Sequence, residues 1–269
     1  MGDYSEANQN GSELNSHQER HFGLGPLHDG GRVIIIGGGP GGVATAIALQ
    51  RGAQALDRKI HVLIVEGKQF AGESHYNQCA GVLSPPIVEL MDRELGIPFP
   101  YQTSRNSITG YVRHTARSQI VLDGSSEPSI ALRRIQFDAH MLEMARQRGI
   151  EIIQARLTDL EFHADGVVAF TESKPIHGDV VVGAFGMDDG TANIFSRVAG
   201  YRPPPSMSAI VTKYHPGETG MAEFGNRIHA FLPALSQIEF GGITPKSNHL
   251  TSNIAGAQVT TQWMDIFLK

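Results

Sequence analysis

The sequence predicts an α/β fold, in which a three-layer domain built on a parallel sheet precedes an antiparallel β region. Residues 33–36 are a continuous β-branched run, typical of a strand that is buried on both faces. A helical segment and a second apolar run at 61–66 follow, which together make a β-α-β unit. From about Pro203, short alternating segments lie between glycine and proline residues, as expected of antiparallel strands.

These differences in residue composition and pattern predict how the chain is divided into regions. Residues 1–30 are polar and are expected to be a disordered tail, with its histidines in solvent. Residues 31–202 are predicted to form the main domain, with an inserted helical and strand segment at about 84–133. Residues 203–269 are predicted to be part of a β-rich substrate domain.

The main domain reads as a regular succession of elements. Its first helix carries Val43, Ala46 and Ile47 on one side, and a later helix ends at Gly149. The predicted elements are helices at 42–54, 86–95 and 137–148, antiparallel strands within 106–133, a strand at 150–153, a hairpin at 157–162 and 167–172, and a buried strand at 179–184.

Composition excludes several classes of function. The chain has 41% hydrophobic and 18% charged residues and a net charge of -5, without a Lys/Arg cluster, so no nucleic-acid partner is expected. The single cysteine, Cys79, offers neither a disulfide nor a zinc-ligand cluster, and no metal site is predicted. The absence of a long apolar run and of a signal peptide predicts a cytoplasmic protein. Peripheral contact with a membrane stays open.

A glycine-rich turn carries the strongest functional signal. Gly37, Gly39 and Gly42 have the spacing G-x-G-x-x-G, directly between a buried strand and a helix. In such a turn, the first glycine permits the tight bend, the second lets a pyrophosphate approach the backbone, and the third lets helix and strand pack closely. Glu66 ends the second strand, where a carboxylate can accept hydrogen bonds from ribose hydroxyls and would repel a 2′-phosphate. The turn by itself does not distinguish FAD from NAD.

Three further segments carry a resemblance to a flavoprotein family. They are residues 79–84 (CAGVLS), 132–138 (LRRIQFD) and 178–186 (GDVVVGAFG). With the β-α-β unit, the sequence resembles the geranylgeranyl reductase group of FAD-dependent oxidoreductases, which have a glutathione-reductase-like FAD fold and share their layout with aromatic hydroxylases. The resemblance covers residues 32–200 best. It implies a Rossmann-like FAD/NAD(P)-binding three-layer domain at 31–202 and FAD as the cofactor.

The resemblance also implies roles for individual residues. The turn would hold the pyrophosphate, Glu66 with Gly67 the adenosine ribose, and the backbone of Leu157 the adenine. The segment at Cys79, Ala80 and Val82 would lie near the flavin ring and ribityl chain, and Arg134 would reach the cofactor from the start of a helix. The implied pyrophosphate residues are Gly37, Gly38, Gly39, Pro40, Gly41 and Gly42.

The implied activity is reduction of a carbon–carbon double bond in an apolar, isoprenoid-like substrate, by hydride transfer from reduced flavin. The electron donor would be NAD(P)H or a ferredoxin-like protein. A flavin-dependent monooxygenase is the alternative enzyme.

The sequence differs from the geranylgeranyl reductase group at two places, and these differences raise a third hypothesis for the function. Phe185 stands where the family has an aspartate, with Asp188 or Asp189 as possible substitutes. No Gly-Asp segment follows residue 200, so the chain is expected to be truncated and could be a non-catalytic nucleotide-binding protein.

Each candidate residue also has a purely structural interpretation. Cys79 could be a small buried hydrophobic residue, and Arg134 could cap or pair at its helix start. Asp138 is expected to be a favourable charge in the first turn of a helix. Structural or surface roles are expected for His229 and His249.

Overall fold

A computed structural model describes residues 27–69, 79–124 and 127–269. The predicted tail at 1–30 lies almost wholly outside the described residues. The strands are β1 (Arg32–Ile36), β2 (His61–Val65), β3 (Val82–Leu83), β4 (Ser104–Ile108), β5 (Gly110–Thr115), β6 (Gln119–Asp123), β7 (Ser129–Leu132), β8 (Glu151–Ile153), β9 (Leu157–His163), β10 (Gly166–Thr171), β11 (Ile176–Gly178), β12 (Val180–Gly183), β13 (Ser208–Tyr214), β14 (Arg227–Leu232), β15 (Phe240–Lys246) and β16 (His249–Gly256). The α-helices are α1 (Pro40–Ala55), α2 (Ile87–Leu95), α3 (Arg134–Gln147), α4 (Asp189–Ala199), α5 (Gly217–Phe224) and α6 (Thr261–Phe267).

The predicted parallel sheet is present, with the strand order β12-β1-β2-β8. Strand β1 is buried on both faces, because it sends alternate side chains into two apolar cores. Val33 and Ile35 pack with residues of α1 and α3, whereas Ile34 and Ile36 pack with the antiparallel sheet β11-β10-β9. The result is three layers, namely helices, parallel sheet and antiparallel sheet, which confirms the predicted fold class.

A second, larger sheet lies beside this domain and has the order β13-β16-β15-β14-β5-β6. It takes four strands from the C-terminal β region and two from the inserted segment, and β14 runs parallel to β5 from Arg227 beside Gly110 to Leu232 beside Thr115. The short sheet β3-β7-β4 contacts the large sheet, because β7 and β4 both lie against β15. The large sheet is therefore built from two separate stretches of the sequence, one before and one after the predicted boundary at 202/203.

Candidate cofactor site

The glycine turn joins β1 to α1 at the carboxyl edge of the parallel sheet. Gly37 has a φ of +113°, a conformation that favours glycine, and a side chain there would collide with the carbonyl oxygen of Ala184. A side chain at Gly42 would collide with the carbonyl oxygen of Gly37. These two glycines therefore let the strand, the turn and the helix pack against each other.

Gly39 and Gly41 differ, because a Cβ atom on either would have no atom of the described residues within 4 Å. Gly39 is the N-cap of α1, Pro40 is its first residue, and the first turn of the helix carries no acidic side chain. The N–H groups at a helix N-terminus attract anions, so the open space above this turn fits a pyrophosphate.

Glu66 follows β2 and is tied to the same turn. Its side chain is buried; Oε2 accepts a hydrogen bond from the Gly38 N–H at 2.6 Å, and Oε1 accepts one from the Lys68 N–H at 2.6 Å. A Cβ atom on Gly38 would lie 3.0 Å from the Glu66 side chain, so a glycine there lets the carboxylate approach. Each carboxylate oxygen keeps a second lone pair, which can accept from a further donor.

The next strand end supplies residues that the sequence did not predict. Gln154 donates from Nε2 to the carbonyl oxygens of Glu66 at 2.8 Å and Lys68 at 3.1 Å. The Arg156 side chain lies against Gly67, where a Cβ atom would collide with its Cγ. Because β8 is the parallel neighbour of β2, the carboxyl end of β8 meets Glu66 at one edge of the sheet. A prediction that β8 pairs with β2 would have pointed to Gln154 and Arg156.

Leu157 begins β9 directly after this edge. Its side chain is 9% exposed and packs in the core beneath the antiparallel sheet with Leu160 and Val167. Any contact it makes with a ligand would have to come from its backbone, as the resemblance implies.

The loop from Cys79 to Val82 lies beside the start of α3. The Gly81 N–H donates to the Cys79 Sγ at 3.2 Å, and the Gly81 carbonyl oxygen accepts from the Leu132 N–H at 2.8 Å. Ala80 is half-buried, and Val82 opens β3 opposite Ala131. Cys79 itself is exposed, so the interpretation of Cys79 as a small buried hydrophobic residue is wrong.

Arg134 is the first residue of α3 and forms an ion pair within the helix. Its Nε donates to the Asp138 Oδ1 at 2.6 Å, with the Asp138 side chain 4% exposed, and its Nη1 lies 4.0 Å from the Cys79 Sγ. Asp138 is thus the buried partner of Arg134 as well as a carboxylate near the helix start. The pair holds the guanidinium beside the Cys79 loop.

Lys246, which the sequence did not single out, reaches this loop from the second sheet. It ends β15, is 6% exposed, and donates from Nζ to the Leu132 carbonyl oxygen at 3.0 Å. A Cβ atom on Gly81 would lie 3.2 Å from the same Nζ. Burial lowers the pKa of the Lys246 ammonium to about 8. No sequence signal relates residue 246 to residue 81, because the contact depends on how two sheets pack.

The segment after β12 is held by aromatic packing. The Phe185 ring packs against Phe195 at 5.1 Å and Tyr201 at 5.7 Å between ring centroids. Asp188 is the N-cap of α4, and its Oδ1 accepts from the Thr191 N–H at 2.8 Å, which lowers the pKa of its carboxyl. Both residues therefore have a structural role in this segment.

Two histidine pairs lie at the second sheet, and His215 of the second pair directly follows β13. The His114 Nε2 and His229 Nδ1 are 3.0 Å apart, and the His215 and His249 rings pack at 5.4 Å between centroids. A separate open cavity of about 420 Å³ lies at the opposite edge of the parallel sheet, beside Arg32 and His61. It is therefore not part of the glycine-turn site.

The structure resembles solved flavoprotein structures over most of the chain. A geranylgeranyl bacteriochlorophyll reductase-like protein from Thermoplasma acidophilum superposes with a TM-score of 0.65 at 18% identity, covering 87% of this chain and 58% of that one. CtdE, in a complex with FAD and a substrate, gives a TM-score of 0.64 at 13% identity, covering 86% and 58%. The halogenase PltM gives 0.64 at 16% identity, covering 88% and 55%.

These likenesses confirm the predicted fold, because they span nearly the whole chain, and at such identities they establish the fold alone. The chain has the Rossmann-type fold of FAD-dependent flavoproteins, among them the geranylgeranyl reductase-like protein that the sequence resembles. It spans a little over half the length of each of these structures. No protein-family model matches the sequence, and no curated protein matches it.

Within the described residues, no helix is both long and apolar enough to cross a membrane.

Proposed function

We propose that this chain binds FAD and serves a flavin-dependent oxidoreductase that reduces a carbon–carbon double bond of an apolar, isoprenoid-like substrate. The observation that carries the proposal is the pairing of an open glycine turn with the buried carboxylate of Glu66. Both lie at the carboxyl edge of a parallel sheet, where ligands of this fold class bind.

The residues of the turn divide into two roles in this proposal. Gly37 and Gly42 shape the turn, while Gly39 and Gly41 leave the space that the pyrophosphate would fill. Glu66 would accept from the ribose hydroxyls through its remaining lone pairs, next to Gly67 and the backbone of Leu157 at the adenine end. A helix start without an acidic side chain would leave the anion unopposed.

The opposite end of the cofactor would lie at the loop of Cys79, Ala80 and Val82. When bound, FAD would supply the two-electron chemistry that the polypeptide lacks. Arg134, held by Asp138, would place a positive charge beside the cofactor. The part of this loop before Cys79 lies outside the described residues.

Exposed apolar side chains on one face of the large sheet support an apolar substrate. In the strand registers, Tyr111 is paired with Leu122 and with Ile228, so these residues share one face of the large sheet. Tyr111, Ile120, Leu122 and Leu232 are all more than a third exposed on that face. The same face carries Lys246, which reaches the Cys79 loop, so an apolar molecule on it would lie next to the proposed ring site.

The partners follow from this proposal. An apolar small molecule would be the substrate, and NAD(P)H or a ferredoxin-like protein would be the electron donor. Peripheral membrane contact would serve delivery of an apolar substrate, and a cytoplasmic location fits the redox partners.

The first test is the absorbance spectrum of the purified chain after incubation with FAD and desalting. We expect a retained two-band flavin spectrum, and loss of it in Gly39→Val, because the new side chain would occupy the pyrophosphate space. Gly52→Val is the matched control, since a Cβ atom there also meets no described atom within 4 Å but lies away from the turn in α1. Equal FAD retention by Gly39→Val and wild type would contradict the site.

The enzyme class needs a second assay, because the structures that share this fold include a halogenase as well as a reductase-like protein. FAD-loaded protein would be supplied with reductant and isoprenoid alkenes, with and without oxygen. A saturated product formed without oxygen supports the reductase. An oxygen-dependent hydroxylated product would favour the monooxygenase, and binding without turnover a non-catalytic nucleotide-binding protein.

A further inference from the structure

Lys246 is a buried ammonium group at a junction of three elements. It ends β15 in the large sheet, its Nζ donates to the Leu132 carbonyl oxygen at the end of β7, and it lies against Gly81 in the Cys79 loop. An ammonium group has three N–H donors, and a charge is costly to bury unless it is paired. The acceptor found for it in the described part of the chain is a neutral carbonyl, which is a poor counterpart for such a charge.

Among the described residues, the charges that act on Lys246 do not compensate its own charge. Burial is the main cause of its lowered pKa, the Cys79 thiol acts in the opposite direction, and Lys213 and Arg105 lower it further. The nearby carboxylate of Asp138 already accepts from Arg134 at 2.6 Å. Within 27–69, 79–124 and 127–269, the titratable and charged groups that face this region are Cys79 from the loop, Arg134 and Asp138 from α3, Arg105 from β4, Lys213 from β13 and His249 from β16.

A lysine whose surroundings disfavour its charge gains most from an anion that arrives at the site. The Cys79 loop is where the proposed function puts the flavin ring, and a flavin ring becomes negative when it is reduced. We propose that Lys246 is a cofactor-site residue that stabilises the negative charge of the reduced flavin ring. This proposal rests on the proposed FAD site and names a residue for which no role has been assigned.

Two properties of the oxidised and reduced cofactor report a positive charge beside the ring. One is the midpoint reduction potential of bound FAD. The other is the affinity of oxidised FAD for sulfite, which adds its lone pair to the ring and leaves the ring negative. A charge in a partly buried site acts strongly on both, because the local dielectric constant is low.

The experiment compares FAD-loaded wild type with Lys246→Met, Lys246→Arg and Lys213→Met. Lys213 is the matched control, since its register partners place it on the same sheet face, exposed on an edge strand. We expect Lys246→Met to weaken sulfite binding about tenfold or more and to lower the potential correspondingly, about 30 mV per tenfold for a two-electron couple. Lys246→Arg should retain both values, and Lys213→Met should change both far less than Lys246→Met does, because solvent screens the exposed Lys213 charge.

A second measurement needs only the wild-type protein and so does not depend on the folding of a variant. If reduction restores the charge of Lys246, the protein takes up one extra proton above pH 8. The slope of midpoint potential against pH would then be about twice that expected for an anionic reduced ring alone. Circular dichroism and thermal melting establish whether Lys246→Met folds.

The outcomes separate the two proposals. Wild-type protein that retains no FAD would overturn the proposed function. Protein that retains FAD, with equal sulfite affinity and equal potential in wild type and Lys246→Met, would overturn the role of Lys246 and leave the FAD site intact. A wild-type slope of midpoint potential against pH that shows no uptake of an extra proton on reduction would also overturn the role of Lys246. A loss of stability in Lys246→Met with unchanged potential would show that Lys246 only fixes the Leu132 carbonyl group.

Discussion

The carboxylate of Glu66 accepts backbone hydrogen bonds from the glycine turn and from Lys68, both at 2.6 Å. These bonds orient the carboxylate before any ligand arrives, so little freedom is left to lose on binding. A preorganised acceptor of this kind strengthens binding by reducing the entropic cost. The two carboxylate oxygens of Glu66 that accept these backbone hydrogen bonds are also the atoms predicted to accept hydrogen bonds from the ribose hydroxyls.

Replacement of Glu66 tests this double role. Glu66→Ala should weaken FAD binding by roughly 1.5–3 kcal/mol, the range for hydrogen bonds to a charged group. The dissociation constant would therefore rise roughly ten- to hundredfold. Titration of apo protein with FAD measures it, and urea unfolding of the apo protein measures the loss of the two backbone hydrogen bonds.

Glu89→Ala is the control for this variant, because Glu89 forms an exposed ion pair with Arg93 on α2. Such surface pairs contribute little to stability. An unchanged dissociation constant for Glu66→Ala would mean that the carboxylate serves the turn alone.

The residues that sequence reasoning identified are those whose chemistry is local. Gly37, Gly39 and Gly42 are set by a short motif between a strand and a helix, and Glu66 by the end of the next strand. Lys246 and Arg156 were missed because they reach the site from elements distant in sequence. An ordinary lysine in an alternating strand gives no sign that it is buried against a loop from another sheet.

At the scale of the element, periodicity predicted the main domain well. The helix predicted at 42–54 is Pro40–Ala55, and the hairpin predicted at 157–162 and 167–172 is Leu157–His163 with Gly166–Thr171. The helix predicted at 137–148 begins earlier, at Arg134. The pairing of β5 with β14 could not be predicted, since alternation indicates a strand and not its neighbour.

A histidine pair joins these two strands. His114 Nε2 lies 3.0 Å from His229 Nδ1, the other nitrogen of His229 lies 3.3 Å from the Phe224 carbonyl oxygen, and the His114 ring stacks on Phe231. The contact between the rings needs one nitrogen as an acceptor, so it requires at least one neutral histidine. Burial lowers the pKa of both imidazoles.

The stability of the protein should therefore fall in mild acid. Both folded-state pKa values lie below 6.5, so the unfolded chain binds protons first as the pH falls through 6.5. The free energy of unfolding is retained above that pH and is lost below it, until the folded-state pKa values are reached. Urea unfolding at pH 7.5 and pH 5.5 measures the difference, which should be smaller in His114→Phe combined with His229→Leu.

His163→Gln is the control, since His163 is about half exposed on β9 and lies outside the pair. It should keep the wild-type dependence on pH. A double variant as sensitive to acid as wild type would assign the effect to other groups, among them His249, whose pKa burial also lowers.

At the scale of the whole molecule, the large sheet makes the two regions of the chain depend on each other. Its β5 and β6 strands come from the segment inserted in the main domain, and β14 pairs with β5 along six residues of each strand. The predicted division at 202/203 thus separates strands that share a ladder of hydrogen bonds. The parallel sheet, in contrast, is complete before residue 203, because β12 ends at Gly183.

Removal of residues 203–269 should therefore affect the two sheets unequally. The β5–β6 hairpin would lose its β14 neighbour, and two-stranded hairpins are marginally stable in water. Hydrogen exchange followed by mass spectrometry should show faster exchange in peptides covering 110–123 than in the full chain. Peptides covering β1 and β2 should keep their protection, since those strands are buried between helices and the antiparallel sheet. Equal protection of 110–123 in both chains would mean that the insertion folds on the main domain alone, through β3, β4 and β7, and that the predicted boundary is a true one.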